Sequence, residues 1–187
     1  MKHVSRYHPL LVTLHWVLAF LIIAALTLGF FGLAATPNSN PQKIGILRVH
    51  MAGGMLILAL MGIRFIVRML TSRPADATTG YPVLDRIAPI SHYGFYLLVL
   101  LMAGTGYTTA ILAGLNKIVF QGSGNSLPPS FAVYPTFVAH FYIATLLVGL
   151  IILHVLAAFY HQFVKRDRLL RRIFFARGVS NPSAPTE

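Results

Sequence analysis

Eight histidines and four carboxylates are an uneven set of reactive side chains, and their placement is more uneven still. His15, His50, His92, His140, His154 and His161 fall inside long apolar runs, whereas Asp76, Asp85, Asp167 and Glu187 all fall outside them. Ionisable groups are expensive to place in a hydrocarbon environment, so those found there are functional candidates. With no cysteine in the chain, thiolate metal sites, Cys-ligated iron–sulfur clusters and thioether-attached haem are excluded. Histidine is the one strong metal ligand left.

His140 and His154 are 14 residues apart. On a helix that interval returns the second to within about 40° of the first and sets it roughly 21 Å further along the axis. The two face one way at two depths. Partners follow from depth. His15 lies 9 residues beyond Arg6 and His154 lies 11 before Lys165, which puts both some 13–17 Å from the same boundary. His50 follows Arg48 at the opposite end of its run, and His140 follows Tyr134 at that same end. Two histidine pairs at two levels, with apolar walls, match bis-histidine ligation of two b-type haems. Zinc fits less well, because a pair of histidines without carboxylate or thiolate leaves it two ligands short. Any one of these histidines alone reads first as a helix-packing hydrogen bond or an interfacial residue, and it is the set that points to ligation.

The elements that must carry them are membrane spans. The chain is 56% hydrophobic and 10% charged, with a mean hydropathy of +0.71. That is more apolar surface than one soluble core of 187 residues needs, and it suits about four spans of roughly 20–25 residues. The apolar runs predict spans over 9–35, 46–70, 87–115 and 134–164, an all-α antiparallel four-helix bundle enclosing two haems. A cleaved leader is the rival reading of the first run, which is too long for an h-region. The stretch from Gln121 to Pro129 is turn-rich and belongs on the surface as a lid or cap. A basic and apolar interfacial helix on anionic lipid is expected over 165–175, and a disordered polar tail over 178–187, leaving residues 1–177 as one domain.

Fifteen Lys and Arg against four acids give a net charge of +11, which in a soluble protein would suggest nucleic acid. Topology explains it better. With the N-terminus inside, twelve of the fifteen basic residues lie on the inner side and only Lys43, Arg48 and Lys117 lie outside. This is the positive-inside bias, and it places both termini in the cytoplasm. No nucleic-acid partner is expected; the partners are membrane lipid and redox molecules.

Smaller assignments surround the two levels. Gly53 and Gly54 follow His50, and Gly29 follows His15 by 14, so small residues would sit on the ligand faces, or serve as ordinary close helix contacts. Arg48 suits a haem propionate at the outer edge, and suits equally the role of a snorkelling anchor. His161, with His92, fits neither haem level and is the candidate for a quinone site, where a donor that passes protons is needed; an interfacial histidine with no redox role is the alternative. His3 and His8 carry no assignment.

The segments Tyr7-His8-Pro9, Leu14-His15-Trp16, Arg48 to Gly54, Ser91 to Tyr96, and His140 with His154 to His161 resemble the prokaryotic cytochrome b561 family in order, spacing and span number, from about Arg6 to Ile173. The resemblance implies a four-helix dihaem cytochrome of the bacterial inner membrane with His15, His50, His140 and His154 as axial ligands. It further implies electron transfer between an aqueous donor and ubiquinone or another quinone, with superoxide as a donor in some members. An outer face carrying Lys43, Arg48 and Lys117 and no acid would attract such an anion. A related branch serves as the haem subunit linking a peripheral dehydrogenase or hydrogenase to quinone. In this chain only the loop from Asn116 to Tyr134 would offer such a redox protein a docking surface. A haem-free transporter or assembly protein using the histidines as a proton relay is the third possibility.

Overall fold

Four apolar helices long enough to cross a bilayer make up the protein in its computed structural model, which describes the backbone of residues 7–72, 82–124 and 126–166 and, in the third helix, side chains from Ile90 onward. Helix α1 runs Pro9–Thr27 and continues into a π-helical turn, Leu28–Leu33. Helix α2 is Gln42–Leu70, α3 is Pro82–Leu112, α4 is the short Leu115–Phe120, and α5 is Pro135–Phe159, ending in a second π-helical turn, Tyr160–Lys165. Among the described residues there is no strand. The chain is an all-α integral membrane protein.

The starts follow local chemistry. Pro9 and Pro135 open α1 and α5 at the first helical position, where a missing N–H is not needed. His8, given no role from sequence, accepts a hydrogen bond at Nδ1 from the Leu10 N–H and caps α1. The second and third helices begin earlier than their apolar runs, at Gln42 and Pro82, because polar turns extend each helix beyond its hydrocarbon segment. The third ends earlier than expected, at Leu112. Gly114 takes φ +64, open to glycine at little cost, and turns the chain into α4.

Outward faces are apolar: Phe20, Phe31, Leu70 and Leu153 are all largely exposed, which suits lipid and would be untenable in water. Inside, Leu18, Ile57, Met61, Val99 and Leu147 form one cluster in the middle of the bundle. A second cluster, Leu47, Ala110, Leu115, Ile118, Val119, Leu127 and Phe131, closes the outer end. The stretch 121–129 lies mostly on the surface, as expected, and anchors this cap through buried Leu127. The cap's α4 went unforeseen because six residues between glycines show too little periodicity to read.

Arg48 holds that cap. Its Nε and Nη2 both donate to the Val119 carbonyl, at 2.9 and 2.6 Å, and Val119 is fully buried. Asn38 adds a bond from Nδ2 to the Pro128 carbonyl at 2.6 Å. Arg48→Ala is expected to cost about 2 kcal/mol, because a charged donor is lost and a buried carbonyl is left unpaired. The checks are a lower thermal midpoint in detergent and faster protease cleavage in the 121–126 loop. The interfacial helix expected over 165–175 lies outside the described residues, apart from Lys165 and Arg166; Arg166 has φ +54. The tail over 178–187 and the first six residues lie outside them too.

Candidate haem-binding centre

The paired histidines meet as their depths require. His50 on α2 and His140 on α5 have ring centres 6.2 Å apart, and His15 on α1 and His154 on α5 have theirs 6.3 Å apart. Both pairs bridge helices that do not pack extensively on one another: α5 rests against α3, and α1 against α2. Room between the ring-bearing helices is what a flat cofactor needs. A metal bound by two imidazoles on opposite sides, about 2 Å from each nitrogen, sets the ring centres roughly 6 Å apart. Both pairs meet that condition.

Around the outer pair lies a cavity of about 370 Å³, walled by Leu26, Phe30, Met51, Phe137 and other apolar side chains, and by Gly29, Gly54 and Gly106. That volume lies in the range of cofactor pockets. Gly53, expected to share this role, is not part of the wall. Gly29 opens its space directly: a Cβ there would stand 3.6 Å from His50 Cε1.

His140 is fixed from behind. Its Nδ1–H donates to the Met102 carbonyl at 3.0 Å, with the Thr105 hydroxyl at 3.3 Å, which leaves Nε2 as the lone-pair nitrogen facing the cavity. The Nδ1 of His50 is buried and makes no hydrogen bond, and the ring lines the same apolar cavity as His140. Among the described residues no cluster of three or more His and acidic side chains forms a conventional metal site, so the structure gives zinc no four-ligand cage.

Comparison with known proteins gives the same answer. A family model for prokaryotic cytochrome b561 matches residues 6–176. The chain belongs to the prokaryotic cytochrome b561 family. It is therefore a membrane b-type cytochrome of electron transfer, and membership of the family implies b-type haem. It is similar to a probable superoxide oxidase CybB of Yersinia pestis, with 28% identity over 90% of this chain and 96% of that one. A cytochrome b562 of Cereibacter sphaeroides is 29% identical over 91% of this chain and 96% of its own length. The cytochrome b561 homolog 2 of Escherichia coli is 23% identical over 90% and 91%.

His92 and Lys43 stand differently from the sequence reading of this cytochrome, and His161 stands near the inner boundary as expected. His92 was set apart from both levels, yet its ring stands 5.8 Å from that of His154 and so joins the inner level. Depth counted from the end of an uncertain span misplaced it; α3 starts five residues before the expected boundary. His161 sits in the terminal π-helical turn, with its ring 6.0 Å from that of Tyr160, away from the paired rings. Lys43, counted with the outer charge, is 7% exposed; its Nζ donates to the Thr36 carbonyl at 2.6 Å and lies 5.8 Å over the Phe131 ring. Sequence reading missed Met102, Thr105 and Gly106. The first acts through its backbone, which no residue type discloses. Gly106 was legible in principle, since it stands 14 residues from His92 on α3.

Proposed function

We propose that this cytochrome holds two b-type haems, one between His50 and His140 on the outer side and one between His15 and His154 on the inner side, and passes electrons from an outer aqueous donor to a membrane quinone. The observation that carries the reading is the match of the two ring separations, 6.2 and 6.3 Å, on two residues of α5 spaced by 14. Residues 1–177 act as one domain in a bacterial inner membrane with both termini in the cytoplasm, as the positive-inside bias supports.

Haem supplies reversible one-electron exchange within the bilayer. His140, held by Met102 and Thr105, presents one ring nitrogen in a fixed tautomer, and His50 faces it across the apolar cavity. Leu47, Met51 and Phe137 keep water from that cavity. Arg48 offers an outer haem propionate the N–H groups that the Val119 carbonyl does not take. On the inner side His161, with His92, serves the quinone: the histidines pass it protons from inner water as it is reduced. His161→Ala is expected to leave the haem content unchanged and slow quinone reduction by about 10²-fold. Loss of a haem in that variant would contradict the assignment.

Superoxide is the donor we favour. Two superoxide ions leave as dioxygen, and the two electrons with two protons convert quinone to quinol. The name of the Yersinia pestis relative supports this, as do exposed Lys117 and Arg48 on the outer face and buried Lys43, which lines both the outer hollow and the apolar cavity. The alternative, a subunit fed by a peripheral dehydrogenase or hydrogenase, would dock at the loop from Asn116 to Tyr134. Leu127 and Phe131 of that loop turn inward to build the cap, which favours the small donor. Proteoliposomes carrying the protein and ubiquinone, supplied with enzymatically generated superoxide, are expected to accumulate quinol. The rate should fall roughly tenfold from low salt to 0.5 M as the outer charges are screened. No quinol, or quinol only with a dehydrogenase present, would overturn this donor.

A further inference from the structure

The 14-residue interval between His140 and His154 recurs on the other three spans. It relates His15 on α1 to Gly29 in the π-helical turn that continues it, His50 to Arg64 on α2, and His92 to Gly106 on α3. At the outer level the two positions that are not paired histidines are therefore glycines, and each lies against a paired ring: Gly29 against His50 and Gly106 against His140. At the inner level the matching two positions are Arg64 and His92. One level is walled by hydrogen atoms and the other by a cation and an imidazole.

Arg64 is half-buried and firmly held. Its Nη1 donates to the Tyr96 hydroxyl at 2.6 Å, and its guanidinium lies 5.9 Å over the same ring. Phe95, the residue before Tyr96, has its ring 5.3 Å from that of His154, which sets the Arg64–Tyr96 pair at the inner level. No carboxylate side chain is among the described residues, and Asp85 precedes Tyr96 by 11 residues, about 16 Å along α3. A cation at this depth calls for an anionic partner, and the proposed inner haem would carry carboxylates able to supply one.

Resting on the two-haem reading, we infer that Arg64, positioned by Tyr96, is the counter-charge of the inner centre: it takes a carboxylate of the haem held there and makes that centre easier to reduce. Adding an electron adds negative charge, which a nearby cation in a low-dielectric surround favours. The outer centre has cations of its own, with Lys43 lining its cavity and Arg48 two residues before His50, so Arg64 acts on the inner centre without by itself setting the direction of flow.

The test is an equilibrium redox titration of the purified cytochrome with haem per chain counted alongside. Arg64→Gln is expected to move one of two waves to lower potential and leave the other in place. Arg64→Lys should restore most of the shift, and Tyr96→Phe should give a smaller one. In a His50→Ala background, where the outer centre is removed, the single remaining wave should still respond to Arg64→Gln. Unmoved waves with two haems bound would overturn the inference, as would equal shifts or equal haem loss in the Gln and Lys variants. Haem loss confined to the Gln variant supports it, since the charge is then what holds the group. A parent chain with fewer than two haems contradicts the underlying reading, and that count distinguishes the two failures.

Discussion

His154→Ala is expected to reduce the haem bound per chain from two to one and to bring electron transfer across the membrane down to background. The loss follows from the ring geometry. His154 stands 6.3 Å from His15 and 5.8 Å from His92, so both ring contacts between histidines given at the inner level among the described residues pass through it. Phe95 packs edge-on at 5.3 Å and supplies no ligand to take its place. His15→Ala should have the same effect, whereas His92→Ala should keep both haems and disturb only quinone reduction. If His92→Ala removed the haem and His15→Ala did not, the inner pair would be redrawn between α3 and α5. His140→Ala and His50→Ala should likewise each remove one haem, this time the outer one. Haem per chain by pyridine haemochrome, with stopped-flow quinone reduction, separates these outcomes.

Gly106 gives the second large effect. A methyl group there would stand 3.0 Å from His140 Cε1 and 3.2 Å from Nδ1, tighter than ordinary contact allows. The ring is held on that side by the Met102 carbonyl and the Thr105 hydroxyl, so a retreat of a few tenths of an ångström strains the bonds that set its tautomer. Gly106→Ala is expected to cost about 1–3 kcal/mol at the site, as overpacking does elsewhere. Haem affinity at the outer level should fall about 10–100-fold, the usual penalty for a disturbed supporting shell. Gly106→Leu should abolish outer haem binding altogether. Titration of the haem-depleted protein with haemin checks this, and an alanine variant that binds both haems with parent affinity would show that His140 is not a ligand. Gly53→Ala is the control: nothing lies within 4 Å of the position its Cβ would take.

Much of this was legible in residue types and intervals, because hydrocarbon punishes polar groups and leaves few where they have no purpose. The spans, the all-α bundle and the depth pairing of His15 with His154 and His50 with His140 all follow from one helical repeat and the length of an apolar run. Where the reading slipped, the cause was local. The place of His92 depended on a boundary that Pro82 set five residues earlier than hydropathy suggested. The outer cap depended on how Val119, Leu127 and Phe131 fold back together, a long-range packing choice with no periodic signature. Arg48 reads from sequence as a propionate partner or an anchor. In the fold it first satisfies a buried carbonyl 71 residues away, a role that only tertiary structure reveals. Hydrogen bonds from a ring to a backbone carbonyl, such as that of His140, are likewise invisible in residue identity.

The two-haem arrangement is tested most directly by counting haem b per chain in the purified protein and recording its reduced-minus-oxidised spectrum. Two haems per chain, falling to one in His50→Ala and to one in His154→Ala, is the predicted result. One haem in the parent protein, or a colourless one, would contradict it.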